Sequence, residues 1–62
     1  MANDDELGQI IARQIKAKRE SAARARRLAG QFGTAEDRDR ALHFADEMDA
    51  QADELEQAHP KA

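Results

Sequence analysis

The chain has 62 residues, a net charge of −3 and no cysteine. This length allows one small domain at most, here residues 1–62, and the lack of cysteine excludes a disulfide framework and a cysteine-ligated metal. No apolar run is longer than three residues, which is too short for a signal-peptide core or a membrane span. We therefore expect a cytoplasmic protein with no membrane partner.

The hydrophobic content is 40%, but 14 of these 25 residues are alanine and only nine are Leu, Ile or Phe. Alanine is the best helix former. Nine large side chains, at roughly 1.5–3 kcal/mol each, do not offset the ordering of about fifty residues. We expect helices that self-associate or bind a partner. A loose chain that folds only on a protein partner is the alternative, and it would show weak helical circular dichroism on its own.

A first helix is predicted over about residues 4–29. Asn3 is suited to cap it, and acidic residues follow in its first turn. One apolar stripe at helical spacing holds Leu7, Ile11, Gln14, Ile15, Lys18, Ala22, Ala25 and Ala29. A second stripe, about 80° away, holds Ile10, Ala17, Ser21 and Leu28. Two stripes predict two neighbouring helices, as in a bundle.

Residues 30–34 are predicted to form the turn. Gly30 or Gly33 is expected to close the first helix in a left-handed conformation. Thr34 is expected to cap the second helix by accepting a hydrogen bond from the backbone N–H of Asp37 or its neighbour. Phe32 is expected to fold over the end of the hairpin near Leu28.

A second helix is predicted over about residues 35–58, ended by Pro60. Its apolar stripe holds Ala41, Phe44, Ala45, Met48, Ala52, Leu55 and His59, with Leu42 outside it. In an antiparallel pair, positions whose numbers sum to about 66 meet. Gln14 and Gln51 then lie close together, either as a buried pair that fixes the register or at the solvated edge.

The fold class that follows is all-α: a hairpin of two long antiparallel helices, dimerising into an antiparallel four-helix bundle. The residues expected to carry the core and the dimer interface are Leu7, Ile10, Ile11, Ile15, Leu28, Phe32, Leu42, Phe44, Met48 and Leu55.

The two halves of the chain differ in charge. Residues 1–33 carry seven basic and four acidic side chains, and residues 34–62 carry three and nine. The halves are expected to pair, with Arg24, Arg26 and Arg27 near Glu36, Asp37 and Asp39, and with Lys16 and Arg19 near Asp46, Glu47 and Asp49. An acidic protein partner stays open. So does contact with nucleic acid through Arg13, Lys16, Arg19, Arg24 and Arg27.

Two short strings, Ala12-Arg13-Gln14-Ile15 and His43-Phe44-Ala45-Asp46-Glu47-Met48, resemble the Rop family of plasmid copy-number regulators, as do the length and the mid-chain turn. The resemblance implies hairpins that dimerise into a four-helix bundle and bind paired RNA loops. Where Rop-like proteins place an RNA-contacting aromatic residue on the first helix, this chain has Gln14.

No catalytic, cofactor or metal site is predicted. Glu56 and His59 have the Glu-x-x-His spacing of di-iron bundles, but facing carboxylates are missing and Pro60 follows directly. His43 with Asp39 or Glu47 is typical of pairing on a helix surface. Ser21 has no histidine within reach. We therefore expect a non-enzymatic interaction or structural module.

Overall fold

A computed structural model describes residues 4–60 of the chain. Helix α1 spans Asp4–Ala29 and helix α2 spans Ala35–Ala58, and the two pack against each other as a hairpin. No strand occurs within residues 4–60. This is the all-α helical hairpin that the sequence predicts. The proposed cap Asn3 lies outside the described residues.

Two backbone hydrogen bonds close helix α1 at the turn. The Gln31 N–H donates to the Leu28 carbonyl at 2.9 Å, and the Phe32 N–H donates to the Ala29 carbonyl at 3.3 Å. Neither Gly30 nor Gly33 has a positive φ. The predicted left-handed cap is therefore wrong, because bonds spaced three residues apart satisfy the last carbonyls at ordinary backbone angles.

Thr34 begins helix α2 as predicted. Its backbone is extended (φ −123°, ψ 151°), and its Oγ1 accepts a hydrogen bond of 3.1 Å from the Asp37 N–H. Glu36 and Asp37 lie in the first turn, where their charge favours the helix dipole. At the other end the His59 N–H donates to the Leu55 carbonyl at 2.9 Å, one residue before Pro60.

The core between the helices is small. The buried residues are Ile11, Ile15, Ala22, Ala29, Ala45 and Ala52. The four alanines are 0–2% exposed, and no large side chain is fully buried. Ile11, Ile15 and Ala52 form one cluster, and the half-buried Leu55 packs against it. The hydrophobic side chains that face the partner helix are thus few and mostly short.

Leu7 and Phe44 are not part of this core, although both belong to the predicted inner stripes. Leu7 is 47% exposed and Phe44 is 43% exposed. Leu7 would need a partner near position 59, but helix α2 ends at Ala58. Phe44 lies about 100° around the helix from the buried Ala45 and therefore sits at the edge of the stripe.

The buried pairing of Gln14 with Gln51 is also wrong, and the solvated-edge alternative holds. Both residues are exposed. The Gln51 Oε1 accepts a hydrogen bond of 2.6 Å from the Lys18 Nζ instead. A long lysine side chain thus reaches the amide from the neighbouring helix, at the margin of the packed face.

The hairpin is elongated and exposes more surface than its mass requires. Its Cα extents are 48 × 16 × 15 Å and its radius of gyration is 14.5 Å, against roughly 10.6 Å for a compact domain of this length. The accessible surface is 4811 Å², whereas a compact 6.9 kDa monomer exposes about 4000 Å². Roughly 800 Å² of surface is thus in excess of what a compact monomer exposes.

Candidate interaction surfaces

One long flank of the hairpin carries the ion pairs that join the helices. We call it the ion-pair flank and define it by Arg19 and Arg26 of α1 and by Asp46, Asp49, Asp53 and Glu56 of α2. Arg19 Nη2 lies 2.7 Å from Glu56 Oε1 and 3.0 Å from Asp53 Oδ1. Arg26 Nη2 lies 2.7 Å from Asp49 Oδ2 and 3.1 Å from Asp46 Oδ1. Asp49 also reaches Arg19 at 3.8 Å and so links the two arginines.

The carboxylates stabilise the charged form of both guanidinium groups. Hydrogen bonds to Glu56 and then Asp53 raise the pKa of Arg19, and hydrogen bonds to Asp49 and then Asp46 raise the pKa of Arg26. The side chains of Arg19 and Arg26 are nevertheless 40% and 44% exposed. Water and salt therefore screen these pairs, and each contributes little to stability.

The expected charge complementarity between the halves is present, but its partners differ from the prediction. Arg26 pairs with Asp46 and Asp49 and not with Glu36, Asp37 or Asp39. Side chains on a helix tilt toward its N-terminus. In an antiparallel pair, α1 side chains therefore lean away from the turn and α2 side chains lean toward it. Cross-helix pairs consequently sum to about 68–75, and only Arg19 with Asp49 matches a predicted pair.

The opposite flank carries an open groove near the turn. Leu28, Phe32 and Phe44 surround it, and small residues complete its lining: Ser21, Ala25 and Ala41. Its volume is about 500 Å³, and Arg24, Asp37 and Arg40 lie at its margin. Two residues correspond to 200° of helix rotation, so Leu28 points away from Arg26 and Phe44 points away from Asp46. We call this side the apolar flank.

Six large apolar side chains are 38–47% exposed: Leu7, Ile10, Leu28, Phe32, Leu42 and Phe44. Ile10 precedes Leu28 by five full turns and therefore lies on the same line of α1, with Leu7 one turn earlier. Leu42 lies one turn before Asp46 and belongs to the ion-pair flank. Phe32 shares the groove with Leu28, as expected, but stays exposed.

The ten residues expected to form the core and interface therefore divide by position. Ile11 and Ile15 lie inside the hairpin, and Met48 and Leu55 are half-buried. The other six are the exposed side chains just named. The second stripe on α1 already contained Ile10 and Leu28. Phe44 was expected on the inner stripe of α2, one position before the buried Ala45, and its place in the groove of the apolar flank was not predicted.

The outer face of α1 carries a row of four cations, Arg13, Lys16, Arg24 and Arg27. All are exposed, and none has a carboxylate within ion-pair distance in the described part of the chain. The row is about 21 Å long at 1.5 Å per residue. Arg19, the fifth residue considered for nucleic-acid contact, is instead held by three acids on the ion-pair flank.

The residues considered for metal binding have ordinary partners. Glu56 accepts a hydrogen bond from Arg19, and His43 Nε2 lies 3.1 Å from Glu47 Oε1, one turn away on the same helix. Within residues 4–60 no three or more His, Asp or Glu side chains are grouped closely enough to hold a metal ion. Nor does either helix, over the same residues, combine the length and apolar content needed to cross a membrane.

No protein-family model matches the sequence, and comparisons with curated proteins and with solved structures find no match. The resemblance to the Rop family therefore stays a prediction. The functional argument depends on the surfaces of this hairpin alone.

Proposed function

We propose that this protein is a non-enzymatic interaction module that acts as a homodimer, with two hairpins joined through their apolar flanks into a four-helix bundle. The observation that carries the proposal is the groove of Leu28, Phe32 and Phe44. These three large side chains converge on one space and are still 40–45% exposed. In residues 4–60 nothing fills that space.

The dimensions favour a partner of similar length. One long flank measures about 48 × 16 Å, or roughly 770 Å², close to the ~800 Å² per partner that a standard interface buries. The excess surface of the lone hairpin has about the same size. A second hairpin would cover one flank along its whole length, and four-helix bundles join helical hairpins in this way.

Two exposed apolar residues, one on each flank, separate the loss of this interface from a general loss of apolar surface. Phe44 and Leu42 are both exposed and only two residues apart, but they lie on opposite flanks. Phe44→Glu would place a charge in the proposed interface, and Leu42→Glu would place the same charge outside it. Light scattering at micromolar concentration should show a dimer for the parent chain and for L42E, and a monomer of reduced helicity for F44E.

Dimerisation should also make the helicity of the parent chain depend on concentration. A parent chain that is a well-folded monomer at micromolar concentration would contradict the proposal. Equal masses for F44E and L42E, both dimeric, would show that the association uses another surface.

A second candidate function is a Rop-like RNA or DNA binder that uses the outer face of α1. The row of Arg13, Lys16, Arg24 and Arg27 supports it, since these four cations have no carboxylate partner in the described residues. An electrophoretic shift that is strong at low salt and fades steeply as salt rises is expected for phosphate contacts. A charge-removed variant, R13Q/R24Q, should reduce the shift, and a parent chain that gives no shift at low salt would exclude this function.

A further inference from the structure

We infer that the two hairpins lie antiparallel, so that Leu7 and Ile10 of one copy fill the groove of Leu28, Phe32 and Phe44 of the other. This inference rests on the proposed homodimer and adds its arrangement and the occupant of its groove. The occupant is the N-terminal part of α1 in a second copy of this chain.

The apolar flank has two separate clusters. Leu28, Phe32 and Phe44 lie at the turn, and Leu7 and Ile10 lie at the open end, where α1 begins and α2 finishes. The polar pair of Lys18 and Gln51 lies between them. An interface with two-fold symmetry uses the same surface of both copies. If its axis runs perpendicular to the helices, level with the middle of the flank, it brings each cluster onto the other cluster of the partner.

The small lining of the groove matches the large side chains of the open end. If Leu7 of one copy lies level with Leu28 of the other, then each residue of α1 lies level with the α1 residue of the partner whose number brings the sum of the two to 35. Ile10 then lies level with Ala25, which lines the groove together with Ala41. A branched side chain thus enters where the groove has only methyl groups, as a knob enters a hole. A turn-beside-turn arrangement would place two open grooves against each other.

Charge favours the same arrangement. The half of the hairpin at the open end, residues 4–19 and 46–60, carries four basic and nine acidic side chains, a charge of −5. The half at the turn, residues 20–45, carries five basic and four acidic side chains, a charge of +1. The antiparallel arrangement sets −5 beside +1 at both ends. The turn-beside-turn arrangement sets −5 beside −5, and like charges held together oppose association.

Disulfide cross-linking tests this arrangement because the chain has no cysteine of its own. Ala17→Cys lies next to the proposed axis and should cross-link with itself, because the antiparallel arrangement sets α1 of one copy against α1 of the other. Ala23→Cys is the matched control, since Ala23 is also an exposed alanine of α1 but lies on the other flank. Efficient cross-linking of A17C but not of A23C is expected.

The arrangement itself is tested by mixing Leu7→Cys with ¹⁵N-labelled Leu28→Cys and weighing the covalent dimers. Mixed dimers should exceed L28C self-dimers at least about tenfold, because two copies of Leu28 lie about 31 Å apart in the antiparallel arrangement and disulfides need Cα atoms within ~7 Å. Light scattering on the reduced variants first checks that both still dimerise. If either does not, Gln14→Cys and Ser21→Cys, which also sum to 35, replace them.

The outcomes separate the two proposals. A parent chain that is dimeric by light scattering, but in which A17C cross-links no better than A23C and mixed L7C–L28C dimers show no excess, would overturn the antiparallel arrangement and leave the homodimer in place. A monomeric parent chain in which A17C cross-links no better than A23C would overturn the homodimer itself.

Discussion

On one flank of the hairpin two arginines reach across to four carboxylates, whereas on the other flank three large apolar side chains surround an empty groove. Both flanks are formed by the same two helices. The ion-pair flank finds its partners within the chain and so favours the antiparallel pairing of α1 with α2. The apolar flank finds none within residues 4–60. The comparison teaches that one side of this molecule pairs the two helices, while the other side presents the apolar surface that is still exposed.

The flank whose contacts are all made within the hairpin contributes the smaller stabilisation. The ion pairs are solvent-exposed and therefore contribute little. Apolar side chains contribute more when they are buried, at roughly 1.5–3 kcal/mol for a full burial. The larger stabilisation is thus available on the side that the hairpin leaves open.

The largest expected loss of stability comes from a substitution in the core between the two helices. Ile15→Ala removes one of the two isoleucines that are buried in the hairpin and leaves a cavity beside Ala52. The free energy of unfolding should fall by about 2–4 kcal/mol. Urea denaturation followed by circular dichroism measures it, and an unchanged midpoint would contradict the described core.

A smaller and one-sided effect is expected from truncating exposed leucines. Leu28→Ala and Leu42→Ala remove the same atoms from residues of similar exposure on opposite flanks. L28A should lower the free energy of unfolding by about 1–2 kcal/mol per copy, because the proposed dimer buries Leu28. L42A should change the free energy of unfolding by no more than ~0.5 kcal/mol. Equal midpoints in a urea titration at fixed protein concentration would remove the distinction between the flanks.

Asp49→Asn should have a still smaller effect, although it disturbs both arginines at once. We expect Tm to fall by at most about 4 °C, because exposed ion pairs are screened. The raised pKa of Arg19 and Arg26 means that their contribution is fully present below the unfolded-state pKa and is lost only as the pH rises through the folded-state value. Added salt is therefore the practical control: 1 M NaCl should abolish the difference between D49N and the parent chain, and a difference that persisted would contradict the screening argument.

Gly33→Ala should be almost neutral, since Gly33 has an ordinary negative φ and an added Cβ would meet nothing within 4 Å. Alanine also restricts the unfolded chain more than glycine does, so a gain of up to ~1 kcal/mol is the expected direction. Thermal melts of the two proteins would show it. A clear loss of stability would mean that the turn needs glycine after all and would revive the left-handed cap.

Local features were the ones that the sequence allowed us to predict. Thr34 caps α2 because the hydroxyl, the extended backbone and the N–H of Asp37 lie within four residues of one another. The hairpin followed from helical spacing on both sides of one glycine-containing turn. The backbone angles of Gly30 and Gly33 did not follow, because glycine adopts both signs of φ with similar ease.

The partners of the cross-helix ion pairs could not be predicted from residue numbers alone, because they also depend on how far each side chain tilts along its helix. The sum of 66 placed Arg26 opposite position 40, but the guanidinium meets Asp46 and Asp49. Phe44 was assigned to the inner face because it lies at the edge of the apolar stripe, next to Ala45. Whether such an edge residue is buried depends on how closely the two helices pack around Ala45, and the sequence of one helix does not determine that distance.

The alanines between the helices limit how this protein can be improved. Ala22, Ala45 and Ala52 have no exposed surface at all, so a larger side chain at any of them would force the helices apart, at a cost of typically 1–3 kcal/mol. Larger side chains in the interior therefore do not raise the thermal stability of this protein. Substitutions that raise it are expected on the surface that contacts a binding partner, where they will also change which partner binds.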